Sequence, residues 1–289
     1  MRKVGSMFTH HFFCFYLRRV ILIVAVAFLG FSFVPQIGLA QQDLPVPDAP
    51  SIRKMIGIVG IVLPDYVGSD DYTVVPAPLF TYKFMGERYF KLLGNRAFVN
   101  VLNHPNWEFG VKAVYRFGRD DDVDDSVVSR LDEVDDSFEL GGFIGYGSII
   151  GGDVRHRYNV HLDMTQDISD GHDGYIIELS GAYWRPVAKA FDIGLRVASS
   201  YASDDYMSAY YDVSPQESIR TGLPVFNADG GLDSVRFGLM GLMHLSFNWH
   251  IGAGAFYGRL LSDVEDSPIV DIRGDANQFF GGISAIYSW

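Results

Sequence analysis

The chain has 289 residues, with 35 acidic against 23 basic side chains, a formal net charge of −12 and 15% aromatic residues. That acidity argues against nucleic acid as a partner, because binding its phosphates needs basic patches. A single cysteine excludes a disulfide framework and any cysteine-based metal site.

The amino end reads as a secretory signal. Arg18 and Arg19 flank an apolar run from Val20 to Val34, Pro35 stops it short of a spanning helix, and Gly38-Leu39-Ala40 supplies small residues for cleavage after Ala40. Met7 is an alternative start. Cys14 precedes the run, so it leaves with residues 1–40 and cannot serve as a lipoprotein acceptor. Removing that segment takes four basic residues and no acidic ones, and what remains is more acidic still. Residues 41–51, with Leu44-Pro45-Val46-Pro47, are expected to be a periplasmic lead-in to a domain over residues 52–289.

From there the two-residue period of extended chain recurs. Expected strands run over Ile52–Leu63, Val75–Phe84, Glu87–Leu93 and Asn95–Asn103. The clearest follows: Trp107, Phe109, Val111, Ala113, Tyr115 and Phe117 alternate with Glu108, Gly110, Lys112, Val114 and Arg116. The apolar face has an aromatic at each end, as a lipid-facing wall requires at its two interfaces. The pattern repeats over Phe138–Gly147, Val154–Met164, Gly174–Trp184, Val187–Tyr201, Leu232–Phe247 and from Trp249 to about Leu261. The final strand places Phe279, Gly281, Ile283, Ala285, Tyr287 and Trp289 on one face, with aromatics at its end as an assembly signal.

Loop lengths alternate. Tight turns fall at Met85-Gly86, His104–Asn106, Ser148–Gly151, Arg185-Pro186 and Asn248; long connections cover Pro64–Val74, Gly118–Ser137, Gln166–Asp173, Ala202–Gly231 and Ser262–Asp275. Short turns on one side and long loops on the other mark an outer-membrane barrel. The expected fold is all-β, an antiparallel transmembrane β-barrel of about twelve strands with short periplasmic turns and long extracellular loops. Its surroundings would be outer-membrane lipid and lipopolysaccharide.

Several motifs then occur in order: G-I-V-L-P-D-Y-V-G-S-D-D-Y (Gly60–Tyr72) with V-V-P-A-P (Val74–Pro78), Y-M-S-A-Y-Y-D-V-S-P (Tyr206–Pro215), T-G-L-P-V-F-N-A-D-G-G-L (Thr221–Leu232), D-S-P-I-V (Asp266–Val270) and N-Q-F-F-G-G (Asn277–Gly282). With these, the sequence from Gly60 to Trp289 resembles the MipA/OmpV family of outer-membrane proteins, MipA standing for MltA-interacting protein. One departure is Trp289, where the family commonly ends in Phe. The resemblance implies insertion by the barrel-assembly machinery. For the family's founding members it also implies a scaffold joining a lytic transglycosylase to a murein synthase.

Site chemistry is sparse. The acids at Asp120–Asp125 and Asp132–Asp136 lack the spacing and glycine of a calcium loop and read as solvated. His156 and His161 lie on opposite faces, His172 in a loop, and His244 and His250 on separate strands, so no metal site is expected. No nucleophile context appears, and Asp204, Asp205 and His172 could meet at the rim only through the fold; neither enzyme activity nor a cofactor is expected. The candidate lumen residues are Glu108, Lys112, Arg116, Glu139, Arg155, Arg157, Asp163, Glu178, Asp192, Arg196 and Arg236. Their mixed signs suit either a bracing network or the wall of a narrow aqueous path. The candidate constriction is the loop carrying Tyr206, Met207, Tyr210, Tyr211, Gly222, Leu223, Pro224, Gly230 and Gly231. Two functions stay open, a murein-associated scaffold and a pore for small solutes.

Overall fold

The computed structural model describes residues 54–289, so the expected signal and lead-in lie outside the described residues. Twelve antiparallel strands close into one barrel: β1 (Lys54–Pro64), β2 (Tyr72–Met85), β3 (Arg88–Leu93), β4 (Arg96–Asn100), β5 (Trp107–Arg116), β6 (Ser137–Ile150), β7 (Asp153–Asp167), β8 (Tyr175–Ala188), β9 (Phe191–Ala202), β10 (Gly231–His244), β11 (Trp249–Leu260) and β12 (Asn277–Ser288). Each strand pairs with its sequence neighbours, and β12 returns to β1 with Met55 opposite Ser288 and Val62 opposite Gly281. Closure pairs the first and last strands of the sheet, and such pairing is how strands satisfy their backbone groups in hydrocarbon.

The outer face is an apolar band. Ile56, Ile58, Phe109, Leu179, Leu195, Leu239 and Ile283 are all exposed there. Aromatic rings mark both borders. Trp107 meets Tyr146 at 4.9 Å and Trp249 meets Tyr287 at 5.1 Å on the side of the short turns; Tyr175 meets Tyr201 at 6.4 Å and Tyr257 meets Phe279 at 5.2 Å on the other. Tyr287 and Trp289 stack at 6.4 Å at the end of β12.

Inside, the two halves differ. Strands β1, β2 and β10–β12 turn Met55, Val59, Ile61, Leu63, Val75, Ala77, Leu79, Met240, Leu242, Phe256 and Ile286 inward, and Trp184 of β8 joins them in one buried apolar cluster. Trp184 lies flat over Gly194, where a Cβ would come within 2.7 Å of the indole. Strands β5–β9 supply most of the charged side chains, with Arg236 and His244 added from β10.

The long connections fold into short helices over the extracellular mouth. They are α1 (Asp204–Tyr211) and α2 (Pro215–Thr221) between β9 and β10, and α3 (Ser262–Asp266) and α4 (Pro268–Asp271) between β11 and β12. The exception to the alternation is the connection of β3 to β4, a turn at Gly94-Asn95 on the mouth side. β4 ends at Asn100, earlier than the run to Asn103 suggests, and the turn before β5 is correspondingly longer.

Truncating Trp184 to alanine should cost about 3–5 kcal/mol, as for other buried aromatics. Guanidinium unfolding of the refolded barrel, followed by tryptophan fluorescence and heat-modifiable gel mobility, measures this.

Candidate functional site: the lumen network and its mouth cap

The charged half of the lumen forms three tiers. Nearest the mouth, the Glu139 carboxylate accepts from the Arg116 guanidinium, from Thr165 Oγ1 at 2.6 Å and lies 3.1 Å from His172 Nε2. All four side chains are buried. The middle tier holds the Lys112–Asp163 pair and Glu178, which accepts from Arg196 at 3.1 Å and Arg236 at 2.5 Å. Glu108, lower on β5, accepts from Tyr89 Oη at 2.6 Å and faces His161 at 3.4 Å. Each carboxylate thus has a cation or a donor, the condition under which buried charge is tolerated.

The periplasmic tier is a relay. Arg155 stands 3.3 Å from Asp192, whose other oxygen lies 3.0 Å from His244 Nε2. His244 Nδ1 is 2.8 Å from His250 Nδ1, and His250 Nε2 is 2.9 Å from Ser288 Oγ. The sequence places these histidines on separate strands, and the β10–β11 register sets them directly opposite each other. Among the described residues no group of three or more histidines and acids is arranged to hold a metal ion. Arg157 lines a separate polar cavity of about 150 Å³ at the periplasmic end, with Lys83, Lys91, Glu87 and Tyr89.

The mouth is capped from the β9–β10 connection. Ser203 caps α1, and the helix drives Tyr206, Met207, Tyr210 and Tyr211 into the barrel end, each at most 3% exposed. Arg116 lies 5.4 Å from the centre of the Tyr206 ring, and His172 meets the rings of Tyr206 and Tyr210 at 5.0 and 5.9 Å. Arg119 Nη1 donates to Tyr210 O at 2.8 Å and Ser267 Oγ to Tyr211 O at 2.8 Å, so neighbouring loops hold the helix down. α2 starts with a capping box between Ser214 and Glu217, with Pro215 at its first turn, and ends at Gly222 with φ 83°. Leu223 is buried beside Tyr66 and Ile269, Pro224 is exposed, Gly230 donates to Asp204, and Gly231 opens β10. His172 is engaged by Glu139, and Asp204 accepts from Gly230 N at 2.6 Å.

Beneath α1 lies a polar cavity of about 60 Å³ bordered by Arg116, Arg236, Asp233, Ser200, Tyr206 and Gln278. Gln278 also latches two sequence motifs together, accepting from Gly68 N at 3.2 Å and donating to Ser69 O at 3.2 Å.

The acidic β5–β6 connection is not free in solvent. Asp125 pairs with Arg273 at 2.5 Å; burial pushes its carboxyl up, but the Arg273 contact and two backbone donors hold it below the usual value. Asp124 N donates to Asp65 Oδ2 at 2.9 Å. Burial raises Asp65 from 3.8 to about 6, with the charges of Asp124, Asp71 and Asp120 adding to the effect and the Asp124 backbone bond opposing it.

Residues 56–289 match the family described as MltA-interacting protein MipA. The chain belongs to that family. It is an outer-membrane β-barrel of bacteria. The Escherichia coli (strain K12) protein YiaT, whose name assigns it to the outer membrane, is 25% identical over 169 residues, covering 56% of this chain and 62% of that protein. The matched part therefore spans about three-fifths of that relative. Among solved structures, an outer membrane channel of Pseudomonas putida F1 aligns over 86% of this chain and 99% of its own, with TM-score 0.45 and 12% identity. The CymD monoaromatic hydrocarbon channel aligns over 87% and 96%, with TM-score 0.39 and 11% identity.

Two outcomes follow for the MipA-family barrel. Glu139→Gln should lose about 3 kcal/mol, because Arg116 keeps its charge in a buried site without a counter-charge. Hydrogen exchange across residues 204–211 should speed up in parallel. Separately, the folded mouth holds the Asp65 proton more tightly than the unfolded chain does. The stabilisation is full below the ordinary carboxyl value and is lost as pH rises through about 6. Exchange protection of the β5–β6 connection should therefore be greater at pH 5 than at pH 7.5, and Asp65→Asn should flatten that difference.

Proposed function

We propose that the barrel is an envelope scaffold, fixed in the outer membrane and docking murein-remodelling enzymes on its periplasmic rim. The observation that carries this reading is the rim itself. The short turns bring large apolar side chains to the end of the barrel: Phe247 is 91% exposed, and Leu245, Val187, Ile149, Val101 and Leu102 are exposed around it. Phe247 lies in the β10–β11 turn, beyond Trp249 of the aromatic border. A closed lumen fits the same role, since α1 caps the mouth and the apolar cluster fills one half of the interior. A family described by interaction with MltA makes a lytic transglycosylase, and with it a murein synthase, the partners of choice. Delivery by a signal peptide and insertion by the barrel-assembly machinery complete this reading.

Cross-linking in whole envelopes followed by purification of the barrel tests it. A transglycosylase should co-purify with the natural chain, and Phe247→Glu should reduce its recovery at least about tenfold while the barrel keeps its heat-modifiable mobility. Equal recovery from both would sink the rim as a docking surface.

The second reading is a gated pore for small solutes, favoured by the polar cavities at the two ends of the lumen. It expects no conductance steps in a planar bilayer from the intact barrel and steps after removal of residues 203–230. Silence from both forms would leave the scaffold standing.

A further inference from the structure

The cavity at the periplasmic end of the lumen differs from the paired tiers above it. It encloses about 150 Å³ between β2–β4 on one side and β7 and β8 on the other. The two-residue period turns Thr81 and Lys83 of β2, Lys91 of β3, Arg157 and Asn159 of β7 and Trp184 of β8 inward around it. The 104–106 turn and the end of β6 form its rim, where His104 is exposed, so the cavity opens to the periplasm. On the mouthward side Phe98 and Phe143 meet at 5.6 Å, and Phe143 stacks on His161 at 6.1 Å. An aromatic layer thus stands between the cavity and the Lys112–Asp163 pair.

The lining carries three cations, Lys83, Lys91 and Arg157, against two carboxylates, Glu87 and Glu108. Lys83 and Glu87 answer each other at 2.6 Å, and Glu108 accepts from Tyr89 Oη. The balance is one positive charge. Hydrogen-bonding capacity is left over as well. The Thr81 hydroxyl is buried with no hydrogen-bond partner among the described residues. His104 Nδ1 accepts from Asn106 N at 3.1 Å and from Trp107 N at 3.0 Å, which puts the ring hydrogen of the neutral imidazole on Nε2 as a donor at the rim. The Trp184 indole and the Tyr89 ring supply apolar surface, the latter with Lys91 Nζ 4.9 Å from its centre.

We propose that this cavity binds a small carboxylate bearing a short apolar group, taken from the periplasm. A surplus of one positive charge matches a monoanion, and charge-assisted bonds from Lys91 and Arg157 suit its two oxygens. An inorganic anion would satisfy the charge and leave the Trp184 and Tyr89 surface uncovered. A cavity of about 150 Å³ takes a ligand of about six heavy atoms, the size of propionate or of a terminal alanine. Such a carboxylate has two sources, a free organic acid or the carboxyl end of a peptide whose remainder stays outside the rim. The site goes beyond the scaffold reading and stands with or without a docked enzyme.

The test is a ligand-observed NMR titration of the natural chain, extracted from outer membranes in mild detergent. The probes are propionate, N-acetyl-alanyl-alanine and, as the neutral control, propionamide. Propionate or the peptide should bind saturably and at least about tenfold more tightly than propionamide, and the tighter of the two names the source. Arg157→Gln and Lys91→Gln should each weaken carboxylate binding at least about fivefold. Both side chains also touch barrel neighbours, so Asn159→Asp supplies an independent perturbation, a third carboxylate on the wall, with the same expected loss. Arg185→Gln, exposed on the outer face of β8, should bind like the natural chain. Carboxylate binding no tighter than that of propionamide would overturn the site. So would undiminished binding by an Arg157→Gln or Asn159→Asp barrel that keeps its heat-modifiable mobility, or an equal loss in Arg185→Gln.

Discussion

Everything in this molecule depends on the seam between β1 and β12. In hydrocarbon each unpaired backbone group costs several kcal/mol, and a twelve-stranded sheet left open would present two full edges. The pairing from Met55–Ser288 to Val62–Gly281 removes both at once. With the sheet closed, side chains at alternate positions are committed, one set to lipid and the other to the interior. The apolar outer band and the aromatic borders follow from the first commitment. The tiers of paired charge follow from the second, because each buried carboxylate on β6–β9 must meet a cation or donor from a neighbouring strand.

The interior divides its labour by wall. Strands β1, β2 and β10–β12 supply the buried apolar cluster, while the buried carboxylates stand on β5–β9 and take cations from those strands and from β10. The cap joins the two, since Tyr206 and Tyr210 rest on Arg116 and His172, while Met207 and Tyr211 pack with Val264 and Val270 from the opposite connection. The mouth is therefore held by contacts to charged and apolar elements alike. Among the described residues the periplasmic end has no comparable cover. Its turns are too short to fold inward, and their apolar side chains are left facing outward.

How far the sequence could be read follows from what each residue's neighbours impose. β5 was legible because its faces meet different solvents, so Trp107 to Phe117 alternate without a break. The connections were legible as long but not as helical. Ser214-Pro215-Gln216-Glu217 carries the capping-box signal of a helix start, although it sits in a stretch that reads as a loop. The pairing of His244 with His250 was missed although a hairpin turn separates them, because adjacency across strands depends on register and not on distance along the chain. The shortness of β3 and β4 had no readable signal, since Arg88–Asn100 alternates well enough for two ordinary strands. Pro76, on the stretch of β2 that pairs with β1 alone, is the trace of it, visible only once its missing neighbour is known.

The relay at the periplasmic end has a direction. Take Asp192 ionised and both imidazoles neutral: His244 must then donate from Nε2 to the carboxylate, leaving Nδ1 to accept. His250 must donate from its own Nδ1, which leaves its Nε2 to accept from the Ser288 hydroxyl. No other arrangement of these protons satisfies every contact. The orientation of one hydroxyl on β12 is thus dictated by a carboxylate on β9, through two rings that behave as a single polarised wire.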